Sequence, residues 1–237
     1  MAPVARGGRQ RVPRPATARE GEAAPWALLR PEQRIVTVRD VRDRLLDLPD
    51  PPPAPASDRG LPAAVLLPLF EEDGEARLVL TKRPETMPSH RGEIAFPGGK
   101  IEPGVDRDAR DAALREAEEE IGLWRATVDV IAALPVIGTV VGGFMISPFV
   151  GIVDGRPEIS ADSREVDRVF DVPLSQLLRD GVYREERWGP DGDGPERAVA
   201  FFELDDETVW GATARILTGF LARVVGVSAS AEWRFGA

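Results

Sequence analysis

Three glutamates in one short segment are the residues of this sequence best suited to chemistry. Glu116, Glu119 and Glu120 are spaced i, i+3 and i+4, so a helix would carry them on one face. Like charges at this spacing repel by about 0.2–0.5 kcal/mol per pair. Gly122, a good C-cap residue, also places them in the last turn, where the helix dipole disfavours anions. A divalent cation would remove both penalties, because oxygen-rich sites hold Mg²⁺ or Mn²⁺.

A glycine-rich turn, Phe96-Pro97-Gly98-Gly99, precedes the acidic segment. Glycine allows a backbone to approach a ligand closely, so this turn predicts a loop that accommodates a phosphate beside the carboxylates. An acidic helix on its own is more often a solvated face, and it is the adjacent turn that favours the metal-binding interpretation. Together the two segments suit metal-assisted hydrolysis at phosphorus.

The composition argues against most other kinds of site. The 237 residues contain no cysteine and a single histidine, His90, which excludes thiolate zinc sites and makes histidine-based zinc sites or serine–histidine triads poor alternatives. We expect His90 to have a structural role. A net charge of −10 disfavours a nucleic-acid partner. No long apolar run and no secretory signal is present, so we expect no membrane association and a cytoplasmic location.

The chain divides into two parts of different composition. We expect residues 1–60 to form a largely disordered N-terminal extension, because Arg, Pro, Ala and Gly dominate residues 1–25. Its arginines suit either an anionic partner or a merely solvated tail. Within the extension, Thr37 is a candidate N-cap for a short helix over residues 37–47, and the prolines of residues 49–57 predict a linker. Residues 61–237 are predicted to form the domain.

The hydrophobic pattern of the domain predicts strands interrupted by helices. The predicted strands cover residues 63–70, 78–82, 93–96, 126–139, 144–153, 182–188 and 198–204. The predicted helices cover residues 107–121, 173–179 and 210–225. This alternation favours an α/β layered domain.

The segment from Arg115 to Leu123 resembles the second half of the Nudix box, Arg-Glu-(apolar)-x-Glu-Glu-x-Gly-(apolar), at every specified position. The first half departs from the box. The separation from Gly99 to Arg115 is two residues longer than the standard, and no glutamate stands at the expected place. Asp106 and Asp108 are the alternatives for that glutamate's part in bracing the arginine and capping the helix.

A narrower resemblance is to the coenzyme A pyrophosphatases. It is carried by Leu80-Thr81-Lys82-Arg83 with His90 and Gly92, by Glu165-Val166 through Val172-Pro173-Leu174, and by Trp210-Gly211-Ala212-Thr213-Ala214-Arg215. With the box, these segments extend over residues 61–225. The resemblance implies a Nudix-type α/β/α sandwich with a mixed β-sheet. It also implies cleavage of coenzyme A or its acyl derivatives to 3′,5′-ADP and (acyl-)4′-phosphopantetheine.

The same resemblance implies the cofactor and the partners. Mg²⁺ or Mn²⁺ would bind to Glu116, Glu119 and Glu120, and the backbone near Gly99 would complete the metal shell. The expected partner is a coenzyme A-like nucleotide, and a homodimer is compatible with the family. Two alternatives stay open: a Nudix hydrolase of another nucleoside diphosphate derivative, such as ADP-ribose or NADH, and a non-catalytic Nudix-fold regulator.

The candidate catalytic residues are Glu119, Glu120, Arg115 and Glu165. Arg115 lies four residues before Glu119 and is expected to orient it. By resemblance, Glu165 is a candidate general base or additional metal ligand, and the alternative is that it only precedes the apolar packing set that begins at Val166. The base could equally be one of the box glutamates.

The candidate substrate-binding residues are Lys82, Arg83, Arg91, Gly98 and Gly99. The three cations lie near the glycine turn in sequence, and Arg and Lys are the side chains that nucleotide phosphates favour. Each cation has the alternative of being an ordinary surface charge.

Overall fold

The structure is a computed structural model that describes residues 7–8, 10, 12–48, 60–87, 90–139, 142–161, 164–189 and 196–228. Its strands are β1 (Arg19–Glu20), β2 (Leu61–Glu72), β3 (Glu75–Lys82), β4 (Ile94–Ala95), β5 (Gly98–Lys100), β6 (Val128–Ala133), β7 (Ile137–Gly138), β8 (Phe144–Val153), β9 (Arg168–Pro173), β10 (Tyr183–Trp188), β11 (Arg197–Glu203) and β12 (Thr208–Trp210). Its α-helices are α1 (Val38–Leu45), α2 (Ala109–Ile121), α3 (Leu174–Leu177) and α4 (Gly211–Val224).

The larger of two sheets is mixed. Its strand order is β4-β3-β2-β8-β6, and β5, β7 and β9 pair with β2, β8 and β3 respectively. Strands β2 and β8 run parallel from the pair Leu61 and Phe144 to the pair Leu69 and Ile152, whereas the other neighbours are antiparallel. The mixed sheet predicted from the sequence is therefore confirmed.

Alternate residues of β2 face two separate cores, because successive side chains of a strand point to opposite sides of the sheet. Leu66 packs on the side of α2, where Ala117 and Ile121 are fully buried. Leu67 packs on the other side, in the core that includes α4 residues such as Phe220. Helices thus cover both faces of the sheet, which confirms the predicted α/β/α arrangement.

The N-terminal region is built into the second core. Strand β1 adds to β10 at the edge of the smaller sheet, whose order is β1-β10-β11-β12. Trp26 is 1% exposed, and its ring centroid lies 5.4 Å from that of Tyr183 and 6.2 Å from that of Phe202. The expectation of a largely disordered extension is therefore corrected for residues 12–48. The prediction from composition was wrong there because a few buried side chains, such as that of Trp26, are enough to anchor a polar segment.

The short helix of the extension is present as predicted. Thr37 caps α1 by accepting a hydrogen bond from the amide of Asp40. The predicted proline-rich linker, residues 49–57, lies outside the described residues.

The predicted strand over residues 126–139 is interrupted in the structure. Strand β6 ends at Ala133 and β7 begins at Ile137, with Pro135 between them. Proline has no backbone N–H to donate and is poorly tolerated inside a sheet, which accounts for the interruption.

Candidate active site

Three carboxylates converge where the end of α2 meets the larger sheet. Glu116 and Glu120 lie one turn apart on α2, and Glu165 lies in the loop before β9. Each offers an oxygen atom, and these atoms all lie within 4.8 Å of one another. Glu120 is buried, Glu116 is half-buried and Glu165 is exposed. Three carboxylates suit a divalent cation, because such ions bind oxygen ligands. The exposure of Glu165 leaves the ion accessible to a substrate.

Strand β5 brings the glycine turn against these carboxylates. The amide of Gly98 donates a hydrogen bond of 3.1 Å to Oε2 of Glu120. A Cβ atom on Gly99 would stand 2.4 Å from Oε1 of Glu116, and one on Gly98 would stand 2.4 Å from the carbonyl oxygen of Ala64. Glycine at both positions is therefore what allows β5 to fit between β2 and the carboxylates.

The protonation behaviour of the two helix carboxylates also fits a cation. Burial raises the pKa of Glu120 to about 7, and the nearby charge of Glu116 acts in the same direction. The Gly98 amide and the positive charge of Arg83 oppose this rise. Burial also raises the pKa of Glu116. Because a positive ion would favour the ionised forms, both carboxylates are poised to bind one as the pH rises.

Arg115 connects the loop before α2 to the acidic face of the helix. Its Nε and Nη2 atoms bond to Asp106 at 2.8 and 3.0 Å, and Nη2 also donates to the carbonyl oxygen of Lys100. Its Nη1 atom lies 2.9 Å from Oε2 of Glu119 and 3.0 Å from Oε1 of Glu116. The predicted contact between Arg115 and Glu119 is present.

Asp106 and Asp108 were the alternatives for bracing Arg115 and capping α2, and in the structure each of them has one of these two roles. Asp106 pairs with Arg115, and its side chain is 1% exposed. Asp108 caps α2 by accepting a hydrogen bond from the amide of Asp111. A turn over residues 102–106 allows this division, because the amide of Asp106 donates to the carbonyl oxygen of Glu102. The segment between Gly99 and Arg115, although two residues longer than in the standard box, therefore still places a carboxylate, that of Asp106, against Arg115.

Glu119 lies apart from the three converging carboxylates. Its side chain is 59% exposed and bonds to Arg115. Glu118, on the next face of the helix, accepts a hydrogen bond from Arg125. Of the three glutamates selected by helical spacing, the structure brings two together with Glu165 and turns the third toward solvent.

The three candidate substrate cations occupy different surroundings. Lys82 forms a 2.8 Å ion pair with the buried Glu207. Arg83 lies close enough to Glu120 to affect its pKa, and its buried Nε atom has no hydrogen-bond partner among the described residues. Arg91 is exposed and donates to the carbonyl oxygen of Met87. Arg83 is therefore the one of the three that this structure ties electrostatically to the carboxylates.

Glu207 is a residue that reasoning from the sequence missed. It lies 125 positions after Lys82 and stands in the run Asp205-Asp206-Glu207, which reads as an ordinary acidic turn. No local signal distinguishes it, because its partner comes from the other sheet. The Nδ1 atom of His90 lies 2.9 Å from Oε2 of Glu93.

Among the described residues, none of the helices combines the length and the apolar composition that a membrane-spanning segment needs.

Comparison with known proteins identifies the family. The NUDIX domain model matches residues 60–206. The chain is 35% identical over 184 residues to the Nudix hydrolase NudL of Photorhabdus laumondii, with 77% of this chain and 95% of the relative covered. It is 41% identical over 172 residues to Nudix hydrolase 22, chloroplastic, of Arabidopsis thaliana, with 69% of this chain covered. The match spans only about half of that relative's length, at 55%.

A solved structure agrees in fold. The MutT/nudix family protein from Enterococcus faecalis superposes with a TM-score of 0.50 and 17% identity, covering 73% of this chain and 64% of that chain. The matched domain, the named hydrolases among its relatives and the mixed sheet between helices agree with one another. The chain belongs to the Nudix hydrolase family, whose members act on diphosphate bonds.

Proposed function

We propose that this chain is a divalent-cation-dependent hydrolase of coenzyme A or its acyl derivatives, and that it releases 3′,5′-ADP and (acyl-)4′-phosphopantetheine. The observation that carries the hydrolytic part is the convergence of Glu116, Glu120 and Glu165 beside the glycine strand β5. Because Gly98 and Gly99 have no side chains, the space beside the three carboxylates can hold both a cation and a phosphate.

In this proposal Glu116, Glu120 and Glu165 hold Mg²⁺ or Mn²⁺, and the backbone of Gly99 is a further candidate ligand. When bound, the cation would neutralise charge on the diphosphate and lower the pKa of an attacking water. Glu119 stays a candidate for a second cation or for the general base, because its carboxylate is exposed on the same helix. Glu165, the exposed member of the cluster, is the other candidate base.

The remaining residues orient the carboxylates and bind the phosphates. Arg115 fixes Glu119 and Glu116 relative to the loop before α2. Among the described residues the buried Nε atom of Arg83 has no hydrogen-bond partner, and its charge acts on Glu120, so Arg83 is the cation that we place on the substrate phosphates. Lys82 and Arg91 are proposed as weaker contacts at the edge of the site.

The choice of coenzyme A rests on where the narrower resemblance lies in the fold. The segment around Lys82 and Arg83 ends β3, which pairs with β4 and with β9. The segment that begins at Glu165 continues into β9 and α3, and Trp210 ends β12, which contacts β4. The residues around Lys82, the start of β9 at Arg168 and, through β4, strand β12 are thus neighbours at one end of β3, whereas β9 runs from there to Pro173 at the opposite end. The shared location at the first end supports a substrate-binding role for the parts of the segments that lie there.

A substrate panel tests this proposal. Coenzyme A, acetyl-coenzyme A, ADP-ribose and NADH are incubated with the full chain and Mg²⁺ or Mn²⁺, and the products are identified by chromatography. We expect 3′,5′-ADP from the first two substrates and faster turnover of these than of the others. Faster turnover of ADP-ribose or NADH would mean that one of these, and not coenzyme A, is the substrate. No turnover of any diphosphate would favour the non-catalytic regulator.

Two variants on α2 test whether turnover in this panel depends on the carboxylate cluster. Glu120→Gln should lower kcat by at least about 100-fold, because even groups that only support a metal ligand are typically worth 10- to 100-fold. Glu118→Gln is the matched control, since Glu118 pairs with Arg125 outside the cluster. An equal loss in both variants would contradict the assigned metal site.

A further inference from the structure

Glu207 is a buried carboxylate that pairs with Lys82, one of the candidate substrate cations. It lies in the turn between β11 and β12 and is 3% exposed. Its Oε1 atom accepts a 2.8 Å hydrogen bond from Nζ of Lys82, and Nη1 of Arg168 lies 3.5 Å from the same oxygen. Its Oε2 atom accepts a 2.9 Å hydrogen bond from Nε2 of Gln10. A buried carboxylate with this many donors has one well-defined position.

Lys82 and Arg168 connect Glu207 to the loop that carries Glu165. The two cations face each other in the register of β3 and β9. The carbonyl oxygen of Lys82 also accepts a 2.8 Å hydrogen bond from the amide of Asp167, two residues after Glu165. Glu207 therefore contacts the two residues that fix the point where the Glu165 loop joins the sheet.

Residues near the N-terminus hold the turn that carries Glu207. The amide of Gly7 donates to the carbonyl oxygen of Leu204 at 2.7 Å, and the amide of Gly8 donates to Oγ1 of Thr208 at 2.9 Å. The side-chain amide of Gln10 donates to Glu207 through Nε2 and accepts from the amide of Thr208 through Oε1. Both ends of this one side chain are thus used to hold the turn.

We propose that Glu207 is a positioning residue for the carboxylate cluster, and that Gln10 completes its support. Glu207 acts through Lys82 and Arg168, which keep the Glu165 loop beside Glu116 and Glu120. This inference deepens the proposed function and rests on its metal site. It also gives the N-terminal segment, which lies outside the matched NUDIX domain, a part in building that site.

Mn²⁺ binding to the full-length chain tests the proposal without any substrate. Free Mn²⁺ is followed by electron paramagnetic resonance in titrations of the wild type, Glu207→Gln and Gln10→Ala. We expect the dissociation constant for Mn²⁺ to rise by about 3- to 10-fold in Glu207→Gln, somewhat less than for groups bonded directly to a metal ligand. Gln10→Ala should raise it by a smaller factor, and it supplies the answer if Glu207→Gln does not fold.

Glu186→Gln is the matched control. Glu186 is also buried and is also contacted by the N-terminal region, through a 2.8 Å bond from Arg14, but its other described partners are Arg184 and Trp188 of its own strand. We expect it to lower the melting temperature and leave the Mn²⁺ dissociation constant unchanged. An unchanged constant in Glu207→Gln and Gln10→Ala, or an equal rise in Glu186→Gln, would overturn the positioning role. Failure of the wild type to bind Mn²⁺ would instead overturn the proposed metal site.

Discussion

Glu120 shows how a single buried carboxylate links the stability of this protein to pH. Burial raises its pKa from 4.5 to about 7 in the folded chain. A carboxyl group whose pKa is raised by folding favours the folded state while it is protonated, and this contribution is lost as the pH rises through the folded pKa. The metal-free protein therefore loses stability through Glu120 as the pH rises from 4.5 to about 7, and a cation binds more readily as the carboxylate ionises.

Denaturation in EDTA measures this effect. Between pH 6 and pH 8, the free energy of unfolding should fall by about 1 kcal/mol more in the wild type than in Glu120→Gln, which cannot ionise. Saturating Mn²⁺ should remove the fall in the wild type, because the bound cation would keep Glu120 ionised at both pH values. Parallel pH profiles for the two metal-free proteins would show that Glu120 does not titrate in this range.

At the scale of elements, the long strands β2 and β8 could be predicted from the sequence, whereas β5 and β9 could not. The prediction for β8 matches at both ends, because a strand buried on both faces reads as a continuous apolar run. Strand β5 consists of Gly98, Gly99 and Lys100, which have little preference for strands. Only its pairing with β2 makes it a strand, and that contact spans distant parts of the chain.

The same distinction applies to the candidate site. Helical spacing identified Glu116 and Glu120, and also Glu119, because all three lie on one side of α2. Spacing does not show which part of that side faces β5, and the structure leaves Glu119 beside Arg115 in solvent. Glu165 joins the cluster through the pairing of β9 with β3, which the strand prediction did not include.

The junction between the loop over residues 101–108 and α2 gives a prediction at this scale. Asp106→Asn removes a charge that pairs with Arg115, which keeps Glu116 and Glu119 as partners. We expect a loss of about 1.5–3 kcal/mol, the usual contribution of a hydrogen bond to a charged group. The freed guanidinium should then move toward Glu116 and weaken Mn²⁺ binding. Chemical denaturation and the Mn²⁺ titration measure the two effects.

Asp108→Asn is the control for this junction. Asparagine is about as good an N-cap as aspartate, so the change should alter the free energy of unfolding by no more than about 0.5 kcal/mol. If both aspartate variants lost the same stability, the division of roles between bracing and capping would be refuted.

At the scale of the whole molecule, the folded unit is larger than the matched domain. Residues 12–48 precede that domain, yet Trp26 and Val36 belong to its second core. Arg34 is also buried and donates to the carbonyl oxygens of Leu29 and Leu178 and to Asp180. A cation buried among this many acceptors holds the N-terminal region against the segment that follows α3.

Replacing one aromatic side chain tests whether this region is part of the cooperative unit. Trp26→Ala should lower the free energy of unfolding by about 3–5 kcal/mol, the usual cost of deleting a large core aromatic. Leu28→Ala, two residues away and 99% exposed, should change it by less than about 0.5 kcal/mol. Urea denaturation followed by circular dichroism compares the two. If Trp26→Ala unfolded at the same urea concentration as Leu28→Ala, the N-terminal region would contribute nothing to the core.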